Sequence, residues 1–246
     1  MTIKINDRKQ AAVNLLPSAL RSHPSLLKAT MAIVQKDLAA EFRSRELISA
    51  MLVFSLLVIL IFNFALELDI KTRESVTAGV LWTTFAFAGT LGLNRSMAVE
   101  KDRGCIDGLL LAPVDRSAIY FGKAISNLAF MLIVEAIVLP VYSVLYNANL
   151  FRLDFLGVIL LGSIGYSAVG TLLSAMAVQT RTRDVLLPIL LFPIAIPVLL
   201  AAVKASGGLL AGAEFSEILT PLNILIVYDV VFIAVAFMVF DFVVEE

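Results

Sequence analysis

The chain alternates between long apolar runs and short polar breaks. Six runs of about 20 residues span 47–66, 75–93, 119–146, 155–178, 185–203 and 220–244. A helix needs about 20 residues to cross roughly 30 Å of hydrocarbon, whereas barrel strands give alternating segments of about 10 residues. The pattern therefore predicts an all-α membrane protein with six transmembrane helices.

The composition agrees with this prediction. Of 246 residues, 60% are hydrophobic and 16% are charged, and the mean hydropathy is +0.94. A soluble core of this size could not bury so much apolar surface. The first 30 residues are charged and lack a long apolar stretch, so the first run is expected to be a span and not a signal peptide.

The basic residues lie mainly on one side of the predicted membrane. Fifteen of the 19 lysines and arginines fall in the N-terminal segment or around the second and fourth connections, and the other four are Lys71, Arg73, Arg152 and Lys204. Since cytoplasmic loops carry the excess of positive charge, both termini and the second connection are predicted to be cytoplasmic. These basic residues thus indicate topology, and no nucleic-acid partner is expected.

The N-terminal part divides into two segments. Residues 1–29 are predicted to be a loosely ordered extension, and 30–246 a single transmembrane domain. Apolar residues recur at helical spacing within 30–46: Met31, Val34, Leu38 and Phe42. This spacing predicts a helix in the membrane interface before the first span, with a simple basic anchor as the alternative.

The second connection, VEKDRGCIDGLLLAPVDRS at 99–117, has an internal pattern. Gly104 permits a turn, Ile106 and 109–111 supply an apolar face, and Pro113 ends the segment. Asp115 or Ser117 is predicted to cap the following helix. The pattern predicts a short amphipathic helix between spans two and three, suited to insertion into a groove on a cytoplasmic partner.

The spans carry unusual residues of three kinds: prolines, small residues and two acids. Pro188, Pro193 and Pro197 predict a kinked or locally unwound fifth span, either as a moving part or as a static kink. Small residues such as Gly162, Gly165 and Gly170 are expected to let helices approach closely.

Glu135 and Asp229 are candidate intramembrane polar contacts. A charged residue there costs about 2.5–3.5 kcal/mol on insertion scales, so each is expected to face the bundle, a partner or a wet cavity. Two interpretations stay open: a contact surface that changes during a transport cycle, or neutralised acids hydrogen-bonded to nearby spans.

Two sequence blocks carry a family resemblance. The acidic-basic cluster, Gly104, the LLLAPV segment and Gly122-Lys123 resemble the permease subunits of type-2 ABC exporters. More narrowly, GVLWTTFAFAGTLGLNRSMAVEKDRGCIDGLLLAPV and the later LLPILLFPIAIPVLL resemble the cytochrome c maturation protein B, or haem exporter B, family. The resemblance covers about residues 30–244.

This resemblance implies a non-catalytic permease subunit for c-type cytochrome biogenesis, in a bacterial-type inner membrane. Its implied partners are a cytoplasmic ABC ATPase, a haem-handling membrane protein, a small membrane subunit and a periplasmic haem chaperone. The complex would couple ATP hydrolysis to haem export or to release of the haem-loaded chaperone. The ATPase-coupling interface would comprise Glu100, Asp102, Arg103, Gly104, Asp107, Leu109, Leu110 and Pro113.

No catalytic residue, metal site or directly bound cofactor is predicted on this chain. The phosphate-binding motif GxxxxGK[ST] is absent, and Lys123 is followed by Ala124. Haem is therefore treated as a substrate of the complex, because His23 is the only histidine and Trp82 the only tryptophan.

Two alternatives remain. One is a type-2 ABC exporter permease for a lipid, glycan or drug, and the other is an intramembrane enzyme, for which no Ser/His or Cys/His pair is present. Contact with membrane lipid and a homodimer, or a pairing with another permease, are expected from the exporter class.

Overall fold

A computed structural model of the chain describes residues 25–65, 70–102, 104–105, 108, 114–180 and 182–243. Within these ranges, long helices make up the fold: α1 Leu26–Ser44, α2 Glu46–Ala65, α3 Ile70–Asp102, α4 Arg116–Tyr146, α5 Leu153–Ala177, α6 Arg183–Ala211 and α7 Phe215–Val243. The helices α2 to α7 contain six segments long and apolar enough to cross a membrane. The predicted all-α, six-span architecture is confirmed, and the chain is a multi-pass membrane protein.

Two helices extend well beyond the apolar runs that predict them. The helix α3 continues through Glu100 to Asp102, although its run ends at residue 93. The helix α6 continues to Ala211 and ends at Gly212, whose φ of 70° is left-handed. Since α7 begins at Phe215, the polar break 204–219 between the fifth and sixth apolar runs is reduced to a connection at 212–214.

The helices α3 and α5 form the centre of the bundle. In their most apolar windows 72% of residues are buried, against 22% in α2 and α7. A Cβ atom at Gly162 of α5 would overlap the Trp82 ring of α3, and one at Gly170 would overlap Leu93. The prediction that small residues on this span permit close helix contact is confirmed.

Apolar side chains also cover the outside of the bundle. On α2, four of them follow one face and are more than half exposed: Val53, Leu57, Ile61 and Phe64. A continuous exposed apolar face of this kind is unfavourable in water and favourable against lipid tails.

Both described ends of the chain lie at the same end of the bundle. Ile33 of α1, Tyr120 of α4 and Phe240 of α7 share one buried cluster, and the Tyr120 and Phe240 ring centroids are 5.3 Å apart. We call this the loop end, because the connection between α3 and α4 also lies there.

The three prolines do not interrupt α6. Of the two forms expected for this span, a kink or local unwinding, the unwinding is therefore absent, and the kink stays a prediction. The helix is continuous through Pro188, Pro193 and Pro197. Near Pro197, the Tyr228 hydroxyl of α7 donates to the Ile194 carbonyl at 3.0 Å. This hydrogen bond joins α6 to α7 one residue from the Pro193 carbonyl, whose donor Pro197 removes.

The junction between α1 and α2 is held by one carboxylate. Arg45 adopts a left-handed conformation, with φ 57°, and ends α1. Glu41 Oε1 then accepts hydrogen bonds from the backbone N–H groups of Leu47 and Ile48, each at 2.9 Å. Glu41 therefore caps the first turn of the next helix, whose N–H groups have no partner within that helix.

Glu41→Ala is expected to destabilise the protein by about 0.5–2 kcal/mol, the usual cost of losing an N-terminal cap. The measurement is the thermal unfolding midpoint in detergent, by size-exclusion chromatography after heating. Glu46→Ala is the matched control, since Glu46 is the exposed first residue of the same helix. A Glu41→Ala midpoint equal to that of the control would contradict the capping role.

Candidate functional site at the loop end

The connection between α3 and α4 begins and ends with the turns that its sequence predicts. Gly104 has φ 67°, and its N–H donates to the Lys101 carbonyl at 3.0 Å. At the other end, Asp115 caps α4 by accepting from the Ser117 N–H at 2.9 Å. Hydrogen bonds from the Ser117 hydroxyl and N–H hold the pKa of Asp115 below its ordinary value. Both predicted turn residues are confirmed.

Three residues of the predicted coupling interface lie in the described part: Glu100, Asp102 and Gly104. Asp102 is exposed and makes a bidentate pair with Arg183 of α6, with both N–O distances at 3.0 Å. Glu100 instead points inward and is 9% exposed. The other interface residues, with most of the predicted amphipathic helix, lie outside the described residues: Arg103, Asp107, Leu109, Leu110 and Pro113.

Glu100 belongs to a closed ring of alternating charges, which we call the ion ring: Lys36, Asp37, Glu100 and Lys123. Lys123 Nζ lies 2.7 Å from Asp37 and 2.6 Å from Glu100. Lys36 Nζ lies 3.1 Å from Asp37 and 2.5 Å from Glu100. Each lysine therefore contacts both acids, and the ring joins α1, α3 and α4.

The ion ring is mostly buried. The side chain of Lys123 is 3% exposed, whereas that of Lys36 is 43% exposed. Partial burial opposes the charge of Lys36, but hydrogen bonding and attraction to Glu100 and Asp37 outweigh it, so its pKa lies above the ordinary value. The balanced charges explain how a lysine near the start of a span can be buried.

Exposed pairs connect the same end of α3 to two further helices. Arg95 lies 2.9 Å from Glu46 at the start of α2, and the Asn94 amide donates to Asp184 of α6 at 2.9 Å. Isolated exposed pairs contribute little stability. Together with the ion ring and the Asp102 pair, however, they connect α3 to α1, α2, α4 and α6 near the connection.

A small cavity lined partly by charged side chains lies between these helices. It measures about 80 Å³ and is lined by Asp37, Glu41, Arg95, Glu100 and Lys123, among others. Organic ligands occupy pockets of roughly 300–1,000 Å³, whereas a water takes about 30 Å³. This cavity has room for a few waters and is too small to be a substrate site.

The two intramembrane acids contact opposite sides of α5. Glu135 of α4 is buried and accepts a hydrogen bond from Ser163 at 2.7 Å. Asp229 of α7 packs against Gly165, where a Cβ atom would overlap its carboxylate. Because residues two apart in a helix point in nearly opposite directions, α5 separates the two acids. Their role as functional contacts stays a prediction.

Sequence reasoning assigned a site role to only one of the four ring residues, Glu100, and missed Lys36, Asp37 and Lys123. Lys36 and Asp37 lie between the apolar positions that predict the helix over 30–46, and Lys123 drew notice only as part of a Gly-Lys pair. In the structure the buried face of α1 carries Asp37 and Glu41, while Met31 and Phe42 are more than half exposed. The available signal was a lone lysine inside an apolar run, which requires a counter-charge from elsewhere.

The described residues contain no group of three His, Cys, Asp or Glu side chains that could hold a metal ion. His23, the only histidine, lies outside those residues. Three methionines pack in apolar clusters: Met51, Met97 and Met131.

Comparison with known proteins covers most of the chain. The model of the family described as CcmB protein matches residues 28–245. The chain is 27% identical over 195 residues to the Heme exporter protein B of Rhodobacter capsulatus, which is 79% of this chain and 88% of that protein.

Two further relatives have the same description. The chain is 22% identical to the Heme exporter protein B of Bradyrhizobium diazoefficiens, over 76% of this chain and 84% of that protein. It is 26% identical to that of Paracoccus denitrificans, over 74% and 84%. With a family model matching nearly the whole described bundle, the chain belongs to the CcmB protein family.

Proposed function

We propose that this chain is the non-catalytic permease subunit of an ABC transporter complex for c-type cytochrome biogenesis. ATP is hydrolysed by a separate subunit that docks on the 103–115 connection. That hydrolysis is coupled to haem export or to release of a haem-loaded periplasmic chaperone. The family match over residues 28–245 carries the proposal, and the relatives described as Heme exporter protein B supply the substrate class.

The structure supports a coupling role for this connection. It joins two long helices, α3 and α4, whose ends are tied to the rest of the bundle by charged side chains. A force applied to the connection would therefore reach several helices. The positive-inside pattern supports a cytoplasmic position for this end and for both termini. The membrane proposed for the complex is a bacterial-type inner membrane.

The complex proposed here has further members. A haem-handling membrane protein, a small membrane subunit and the periplasmic chaperone would handle haem, and a second copy or another permease would complete the transmembrane pathway. Glu135 and Asp229 would be polar contacts within the spans. In this proposal the chain itself binds no cofactor.

Reversing the charge of the connection is expected to release the ATPase. We expect Asp102→Lys/Asp107→Lys to reduce the co-purified ATPase at least tenfold, or about 1.4 kcal/mol of binding free energy. The measurement is a pull-down from detergent-solubilised membranes, with mass spectrometry and ATPase activity read in the same eluate. Wild type should bring both the ATPase and haem-maturation proteins.

Two controls isolate the effect on docking. Arg183→Met breaks the Asp102–Arg183 pair while keeping the acid. Asp154→Lys places one Asp-to-Lys exchange, half of the charge change of the test variant, at the opposite end of the bundle. Both should retain the ATPase. An ATPase without haem-maturation proteins would favour an exporter of a lipid, glycan or drug. Wild type without any ATPase would contradict the proposal.

A further inference from the structure

We propose that the ion ring is the joint through which movement of the 103–115 connection is passed to α1 and from there to α2. Lys36, Asp37, Glu100 and Lys123 are then positioning residues, which act through the helices that they join. This inference rests on the proposed function, because it requires an ATPase that moves the connection. It assigns Glu100 to the joint and not to the docking surface.

The ion ring contains one residue from each helix that borders the connection. Glu100 lies three residues before Arg103, where the connection begins, and Lys123 lies in the second turn of α4. Both residues are in continuous helices, so a displacement of the connection displaces them with little loss. Glu100 and Lys123 both contact charged side chains of α1: Lys36 pairs with Glu100, and Asp37 pairs with Lys123.

The helix α1 packs closely against the beginning of α4. Thr30 lies at 3.5 Å from the Ala118 carbonyl, and a Cβ atom at Gly122 would lie only 2.7 Å from Ile33. The next contact of α1 is the Asp37–Lys123 pair at 2.7 Å. On α1 the contacting residues are spaced by three and then four positions, so one face of α1 lies along the beginning of α4.

The helix α1 is also joined to the first turn of α2. Glu41 accepts two backbone hydrogen bonds from the first turn of α2. The chain of contacts therefore runs from the connection to α3 and α4, across the ion ring to α1, and through Glu41 to the first span. Only the ring in this series joins three helices by paired charges, whose direction and distance tolerate little displacement.

The test removes α1 from the ring without leaving an unpaired charge. Lys36→Met/Asp37→Asn deletes one charge of each sign and keeps the Lys123–Glu100 pair at 2.6 Å. The complex with its co-purified ATPase is placed in lipid nanodiscs. Amide hydrogen exchange of residues 103–115 and 26–44 is then compared with and without a non-hydrolysable ATP analogue.

In wild type, the nucleotide should change exchange in both segments. In Lys36→Met/Asp37→Asn, the change in 103–115 should persist, while the change in 26–44 should fall at least threefold. A purely structural role would raise exchange in α1 in both nucleotide states and leave their difference unaltered. Lys36→Gln/Asp37→Asn also deletes one charge of each sign and keeps a polar side chain at both positions, so it is the second variant if the first is poorly folded, and it should give the same direction.

The matched control is Glu46→Gln/Arg95→Met, which also removes a pair of opposite charges between α3 and another helix. It should keep both responses. A wild-type connection that responds while α1 does not, or a double variant that still transmits the response, would overturn the joint and leave the proposed function intact. A wild-type connection that does not respond to nucleotide would contradict the proposed function itself.

Discussion

Lys123→Met is expected to lower the stability of the bundle by about 3–5 kcal/mol, the usual cost of removing one partner from a buried ionic group. Without Lys123, the largely buried carboxylates of Asp37 and Glu100 retain only Lys36, whose side chain is 43% exposed. The measurement is the fraction of folded protein that remains after heating in detergent, read by size-exclusion chromatography.

Two comparison variants test this explanation. Lys36→Met should cost less, because Lys123 still contacts both acids. Lys123→Met/Glu100→Gln should be more stable than Lys123→Met alone, because it leaves the balanced Lys36–Asp37 pair. If Lys36→Met were as damaging as Lys123→Met, the buried lysine would not be the main stabilising charge.

Gly162→Val should also disrupt the bundle, at a cost of about 3 kcal/mol, the upper end of the range for overpacking. The new side chain would overlap the Trp82 ring. That ring has no room to move, since it is 2% exposed and its indole N–H donates to Ser206 at 2.9 Å. The expected decrease in the unfolding midpoint is about 6–12 °C for a chain of this length.

A second substitution, at Trp82, should relieve this overlap. Trp82→Phe removes the ring atoms that face Gly162, so Gly162→Val/Trp82→Phe should be more stable than Gly162→Val alone. Gly157→Val on the same helix is the control, since a Cβ atom there meets nothing within 4 Å. No recovery in the double variant, or an equal loss at Gly157, would show that close contact with Trp82 is not the cause.

The six spans could be predicted because their signal is local. Each apolar run is long enough to cross a bilayer, and hydrocarbon requires helices with satisfied backbone groups. The ends were less predictable, as α3 shows. Its last turns contain Glu100, Lys101 and Asp102, which read as a polar connection, but partners on other helices neutralise Glu100 and Asp102 and the helix continues.

The candidate site was predictable only in its turns. Gly104 and Asp115 act through their own backbone neighbourhood, so local sequence identifies them. The ion ring depends on residues 64 and 86 positions apart, and periodicity contains no information about such pairs. Helical spacing in 30–46 correctly indicated a helix, but its inward face also contains Asp37, whose partners on α3 and α4 are distant in the sequence.

The environment of Trp82 allows changes in the bundle to be followed by intrinsic tryptophan fluorescence. It is the only tryptophan of the chain, and it lies where α3, α5 and α6 meet. A buried indole emits at shorter wavelength than one in water, so the intrinsic fluorescence of the unlabelled protein reports on a single point at the centre of the spans. A step of a transport cycle that lets water reach the ring between these three helices would shift that emission to the red, with no dye attached.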